Sequence, residues 1–254
     1  MSKNILVVTA SMSKRAGGVG TVNQMLWQSL KYIGNIFLYE LDTKILSNLN
    51  STLKQKSFYN VIKTVKPTVI HFHGMWNPQL LFALIVLLFS NKIRLIITPH
   101  GMLNEWALKK KSLKKNMFIL LMKFLRKKYS FQALTKSEKT NISKYFPNAK
   151  ISIIGNPVDS SWKNGARNSS QPTGVVSLGR LGEQKNSLEL CDAILRLESK
   201  NFDLFQLSIF GWSDSKEYLE QFSTKADNSK SISYRGELNR HEVLATLSQY
   251  KFFL

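Results

Sequence analysis

Arg180 and Lys185 stand five residues apart in the run Ser177-Leu-Gly-Arg-Leu-Gly-Glu-Gln-Lys185. An apolar stretch, Gly174 to Leu178, feeds a glycine turn, and a helical pattern starts near Asn186. A strand, a turn and a helix start in that order aim two cations and a helix N-terminus at one point. Arg supplies a planar fork and Lys a point charge, and backbone N–H groups at a helix start add partial positive charge. Such a corner suits a doubly charged leaving group such as a diphosphate. The plainer alternative is two solvated cations on a surface turn.

Other strand ends carry further candidates. Gly17-Gly18-Val19-Gly20 opens a helix, so its backbone can approach a phosphate. Glu40 and Asp42 follow at about the 20-residue distance of a dinucleotide fingerprint. The form fails, because the run reads G-x-G-x-x-N from Gly18 and a seven-residue loop precedes Gly17. His71 and His73 flank Phe72, and strand alternation points both the same way. An H-x-H pair suggests metal, yet no carboxylate cluster lies nearby to complete a site. Packing at a strand end is the other reading. His100 follows Pro99 at another strand end, with Gly101 allowing close approach, and either meets a ligand or caps the strand. Glu105 shares that loop and could contact hydroxyls.

These residues need strands to hold them. Ile5–Thr9, Ile36–Leu41, Thr68–Phe72, Ile93–Thr98, Ser130–Ala133 and Ile151–Ile154 read as strands. Helical patterns from about Gly20 to Tyr32, Phe58–Val65, Leu80–Ser90, Lys114–Lys127 and Ser137–Tyr145 alternate with them. This alternation predicts a parallel sheet covered on both faces. Ser160 to Thr173 is polar with Gly and Pro and reads as a linker. A second series follows: strands Val175–Leu178, Phe205–Phe210 and Ile232–Tyr234, and helices Ser187–Lys200, Ser215–Ala226 and Arg240–Tyr250. Lys251–Leu254 has the pattern of a starting strand. The expectation is two doubly wound α/β domains, 1–165 and 166–254. Ligands then belong beyond the carboxyl ends of the strands.

Charge supports the division. Residues 1–165 hold 25 Lys and Arg against 5 Asp and Glu, while residues 166–254 hold 11 of each. The whole chain's +20 therefore sits in the first part. Its most basic segment runs from Lys109 to Lys128 and contains no acid, with apolar residues from Met117 to Leu125 at helical spacing. A basic amphipathic helix reads as an anionic membrane surface site, or as a core helix with a solvated outer face. No aromatic stacking motif accompanies the charge, so nucleic acid is not expected. The longest apolar run, Leu80 to Phe89, is ten residues, against the roughly 20 needed to span a bilayer. The single cysteine, Cys191, excludes an internal disulfide and a cysteine-rich metal site. The N-terminus enters a strand directly, so a cytoplasmic protein, peripheral on the inner membrane face, is expected.

Taken in order, five segments resemble the retaining nucleotide-sugar glycosyltransferases of family GT4, which have the GT-B fold. They are Gly17-Gly18-Val19, His71-Phe-His-Gly-Met-Trp76, Thr98-Pro-His-Gly-Met-Leu103, Ile154-Gly-Asn-Pro-Val-Asp159 and Leu178-Gly-Arg-Leu-Gly-Glu-Gln-Lys185. Phe210-Gly211 and Tyr234-Arg-Gly236 match later landmarks. The resemblance implies two Rossmann-like domains and transfer of a hexose, with retention, to a cell-surface polysaccharide or lipid-linked oligosaccharide. It assigns Gly18, Arg180 and Lys185 to the donor diphosphate, and His100 to the sugar in an oxocarbenium-like transition state. By the resemblance His73 and Trp76 border the acceptor side; Glu105, from its place in the His100 loop, is a further candidate for contact with acceptor hydroxyls. No metal is expected if Arg and Lys neutralise the leaving group.

The same resemblance expects a Glu-x7-Glu motif shortly after a strand like Lys251–Leu254, for the sugar and ribose. It is not within the 254 residues. The expectation is a C-terminally truncated enzyme with little activity alone, with a separate chain carrying the other half as one candidate partner. The rival is a catalytically dead remnant that binds membranes or polyanions.

Overall fold

A computed structural model describes residues 4–12, 17–30, 35–48, 50–55, 57–90, 92–109, 112–125, 128–158, 173–200 and 205–254. The chain divides into two compact units, Met1–Val158 and Asp159–Leu254. Residues 160–172 of the expected linker lie outside the described residues.

In the first unit β1 (Ile5–Thr9), β2 (Ile36–Glu40), β3 (Ile45–Ser47), β4 (Thr52–Lys54), β5 (Val69–His73), β6 (Arg94–Thr98), β7 (Tyr129–Ala133) and β8 (Lys150–Ile153) form one sheet. Its order is β4-β3-β2-β1-β5-β6-β7-β8. The expectation of a wholly parallel sheet is corrected at one edge. β3 pairs antiparallel with both β2 and β4. The Asn48 side-chain oxygen accepts from the N–H groups of Asn50 and Ser51, which turns the chain back on itself.

Strand alternation sorts the side chains. Leu6 and Val8 of β1, Ile70 and Phe72 of β5, and Leu95 and Ile97 of β6 are buried in the main core. Helices α2 (Phe58–Val65), α3 (Pro78–Phe89), α5 (Ser112–Phe124) and α6 (Lys136–Tyr145) contribute Val61, Leu84, Met122 and Ile142 to it. Proline at the start of α3 suits a first turn that needs no N–H. The opposite face gathers Val7, Ile36 and Leu38 with Trp27 and Leu30 of α1 (Gly17–Leu30). α1 starts at Gly17, three residues before the sequence pattern suggested. Glu105 opens a short helix, α4 (Glu105–Lys109), where a loop was expected.

The second unit carries β9 (Val175–Leu178), β10 (Leu207–Phe210), β11 (Ile232–Tyr234) and β12 (Phe252–Phe253) in the order β11-β10-β9-β12, all parallel. Its core joins Val175, Leu207 and Ile209 to Cys191 and Ile194 of α7 (Ser187–Glu198) and Phe222 of α8 (Lys216–Asp227). A final helix, α9 (Arg240–Leu247), ends three residues earlier than its sequence pattern.

Both sheets reverse their winding once. In the first, β1 has β2 on one side and β5 on the other. In the second, β9 has β10 on one side and β12 on the other. Ligand crevices of such sheets open at the carboxyl ends of those strands. Thr9 and His73 lie at one switch, and the Gly179–Lys185 turn lies at the other.

Candidate active site

His71, His73 and His100 form a row at the carboxyl edge of the first sheet. The rings of His71 and His73 are 4.3 Å apart, and those of His73 and His100 5.1 Å apart. His73 Nδ1 is 2.8 Å from His100 Nε2, and His71 Nε2 is 2.8 Å from Thr98 Oγ1. Sequence reasoning treated His73 and His100 as separate groups, one on the acceptor side and one at the sugar. The structure joins them. Parallel pairing of β5 with β6 puts His73 opposite Thr98, two residues before His100.

Burial sets the charge of the row. Desolvation, then the nearby His100, lowers the His71 pKa to about 4. Desolvation alone lowers His100 to about 4. His73 is pushed well below its ordinary value by burial and then by its two histidine neighbours. All three are neutral imidazoles at pH 7. His71 and His73 border an apolar pocket lined by Val7, Leu26, Trp27 and Leu38. Among the described residues His73 Nε2 is buried without a hydrogen-bond partner, and so is Asn23 Oδ1 of α1. The Asn23 amide donates to Thr9 Oγ1, 2.5 Å away, at the end of β1.

The turn carrying His100 is held from a distance. His100 has φ +53° and Gly101 φ +75°, a left-handed pair that favours glycine at the second position. Gly101 N–H donates to Glu138 Oε1 at 2.7 Å, and Leu134 N–H donates to Glu138 Oε2 at 2.6 Å. One buried carboxylate thus ties the segments after β6 and β7 together. Sequence reasoning missed Glu138. Its only sequence signal is Thr135-x-x-Glu138, a capping-box spacing at the start of α6. Thr135 does cap Glu138 N–H at 3.1 Å, but the glutamate reaches Gly101 and Leu134.

Gly74 (φ +96°) follows β5, and a Cβ there would stand 3.3 Å from Met102 Cε. Met75 N–H donates to Met102 Sδ at 3.2 Å. Trp76, expected on the acceptor side, packs edge-on against Phe118 of α5 at 5.6 Å, with Lys115 Nζ 5.5 Å from its ring. Glu105 is exposed and paired to Lys144 of α6 at 2.9 Å, which lowers the carboxyl pKa. Gly18 lies in the first turn of α1, and among the described residues a Cβ there would meet nothing within 4 Å. Glu40 accepts from Met12 N–H, Ser11 and Thr43, so its carboxylate braces the loop after β1.

In the second unit Arg180 follows β9, donating to Asp214 Oδ2 at 2.8 Å and to Gln184 Oε1 at 3.3 Å. The Asp214 contact, 34 residues away, was not foreseen. Lys185 closes a 3-10 turn, Glu183–Lys185, and its side chain is exposed. The expected helix start is partly occupied. Tyr218 Oη accepts the Leu188 N–H in the first turn of α7 at 3.2 Å. Gly211 packs so closely under Gly179 that a Cβ would overlap the Gly179 carbonyl oxygen. Gly211 N–H donates to Gly236 O at 2.8 Å. The glycine landmarks therefore meet beside Arg180. Among the described residues no cluster of His, Cys, Asp and Glu could hold a metal ion. No helix of the described residues is long and apolar enough to cross a membrane.

Residues 41–162 match Glycosyltransferase Family 4, a span that includes the histidine row and Glu138. No curated protein matches the sequence. Solved structures share the fold. A glycosyltransferase from Rickettsia africae matches with TM-score 0.61 at 12% identity, over 99% of this chain and 72% of that one. The catalytic domain of starch synthase IV from Arabidopsis thaliana, bound to ADP and acarbose, matches with TM-score 0.60 at 13% identity. That match spans 100% of this chain and 78% of the other. The lipopolysaccharide outer core galactosyltransferase WaaB matches with TM-score 0.59 at 16% identity, over 99% and 73%. The chain thus has the two-sheet α/β fold of the GT-B glycosyltransferases, and its residues 41–162 are similar to Glycosyltransferase Family 4.

Proposed function

We propose that this protein is a retaining hexosyltransferase. It moves a sugar from a nucleotide-diphospho-sugar to a polysaccharide or lipid-linked oligosaccharide. The observation that carries the reading is the turn at the switch of the second sheet. There the Arg180 guanidinium is held in place by an exposed carboxylate and an amide, both of which a diphosphate can replace. An exposed pair of this kind is worth only about 0–1 kcal/mol, so exchange for a dianion is favourable. Lys185 adds a second cation, and the charge that develops on the leaving diphosphate is met without a metal ion. Gly18 offers a helix start on the first unit, and His100 a neutral imidazole for the sugar. The starch synthase relative's bound ADP supports a nucleoside diphosphate as the donor's leaving group.

The acceptor side faces an anionic membrane in this reading. Leu113, Met117, Leu120, Leu121 and Phe124 of α5 are 45–80% exposed and fall at i, i+4, i+7, i+8 and i+11, one continuous stripe. The exposed Lys109, Lys114 and Lys123 accompany it, and residues 106–137 contain no acid. Apolar insertion with lysines at headgroup level gives reversible interfacial binding. The helix's buried face, Ile119 and Met122, keeps it anchored in the core.

The test is sugar transfer from UDP-, GDP- and dTDP-sugars to lipid-linked acceptors, with and without EDTA. It is run on the 254-residue chain alone and with a Glu-x7-Glu segment supplied in cis or in trans. Loss of transfer in Arg180→Ala, at unchanged fold, supports the reading. Vesicle binding with no transfer in any form would favour a catalytically dead membrane-binding protein. Met117→Glu and Leu120→Glu are expected to abolish co-sedimentation with phosphatidylglycerol vesicles. Undiminished binding would place the membrane contact elsewhere.

A further inference from the structure

Two neutral imidazoles 2.8 Å apart share one proton between His73 Nδ1 and His100 Nε2. Which ring holds it decides what His100 presents to a ligand. If His100 Nε2 carries the proton, His73 must carry its own on Nε2, the atom buried with no partner among the described residues. That leaves an N–H donor orphaned beside the apolar pocket of Val7, Leu26 and Trp27. If His73 Nδ1 carries it, the orphan is a bare acceptor. Buried unpaired N–H groups are rarer in proteins than under-satisfied acceptors.

We propose that His73 is a positioning residue that locks His100 in its Nδ1–H form, so that the strand-end histidine offers a fixed N–H donor to the substrate. His73 Nδ1–H donates, His100 Nε2 accepts, and the remaining proton of His100 sits on Nδ1. Among the described residues Nδ1 of His100 has no hydrogen-bond partner. A donor there matches an acceptor on the ligand, such as a sugar hydroxyl oxygen. His73 makes this assignment without touching the ligand, much as a carboxylate orients a catalytic imidazole through its other nitrogen. The ring of His100 is carried on a left-handed backbone, φ +53°, and its contact with His73 Nδ1 fixes which nitrogen faces away.

This role deepens the proposed transfer reaction and rests on it only for its use. The tautomer itself is read without any activity. Long-range proton–nitrogen NMR of the protein labelled with ¹⁵N-histidine separates the two forms at pH 7. The expected result is a protonated Nδ1 and bare Nε2 in both His73 and His100. A protonated Nε2 in His100 overturns the proposal. His73→Leu removes the donor and is expected to give His100 a mixture of tautomers or the Nε2–H form. His73→Asn keeps an N–H close to the Nδ1 position and is expected to retain the Nδ1–H form, which also guards against a fold defect in the leucine variant. Unchanged His100 tautomers in His73→Leu overturn the proposal. In transfer assays His73→Leu should lower kcat about tenfold, the value of one hydrogen bond, with donor KM little changed and with recovery in His73→Asn. If the NMR result holds while no variant transfers sugar, the tautomer lock stands and the transferase reading fails.

Discussion

His73 Nδ1 lies 2.8 Å from His100 Nε2, and this contact bridges the ends of β5 and β6 on the first sheet. With His71 it makes a row of three rings that fold as neutral imidazoles. Their pKa values are lowered in the folded state, so between about pH 6.5 and pH 4 the unfolded chain binds protons that the folded chain refuses. Stability is therefore fully present above the ordinary histidine value and falls as pH drops through that window. The loss should reach on the order of 2 kcal/mol for each histidine by pH 4.5. Urea midpoints measured from pH 8 to 4.5 check it. A flat profile, or histidine ring signals that titrate near pH 6.5 for all three residues, would contradict the burial argument.

Glu138 is expected to be the most sensitive residue outside the histidine row. Glu138→Ala leaves the N–H groups of Gly101 and Leu134 without their acceptor and should cost about 1–3 kcal/mol. Glu138→Gln keeps one acceptor oxygen and should cost less. Thermal unfolding with amide exchange at Gly101 distinguishes the two, since only the alanine variant should exchange there like an open loop.

Asp214 competes with any anion for Arg180. Asp214→Asn should change stability by under about 1 kcal/mol, since the pair is exposed. It should nevertheless tighten binding of UDP or pyrophosphate, because the guanidinium no longer has to leave a carboxylate. Calorimetry gives the answer directly. Weaker anion binding in Asp214→Asn would mean that the aspartate assists the ligand.

Gly211→Ala should destabilise the second unit by roughly 1–3 kcal/mol, the usual cost of forcing an extra group into a packed site. The added Cβ has no space beneath the Gly179 carbonyl. Since Gly179 precedes Arg180, anion affinity should fall with it. A variant as stable as the parent by denaturant titration would show that the strand ends can part.

The alternating strands and helices were legible because central strands, such as Ile5–Thr9 and the one read as Ile93–Thr98, are largely apolar runs. The hairpin of β3 and β4 was not, because its strands are three residues long and Thr52–Lys54 is exposed on every residue. The candidate cations and histidines could be named from strand-end motifs. Their partners could not. Glu138 reaches Gly101 across 37 residues and Asp214 reaches Arg180 across 34, distances at which no local spacing rule operates. Trp76 likewise has a partner that no motif announces: tertiary packing places its ring against Phe118 of α5.

The thioether of Met102 has a chemical consequence of its own. Its sulfur takes the Met75 N–H, and its methyl group fills the space that a side chain at Gly74 would need. A single oxygen atom added by peroxide would turn this soft, adaptable filler into a rigid polar sulfoxide between the strand ends that carry His73 and His100. Oxidative damage at one partly buried atom would thus reach the histidine row without touching a histidine. A mass gain of about 16 Da at Met102 should accompany altered His100 ring signals, and reduction by a methionine sulfoxide reductase should reverse both.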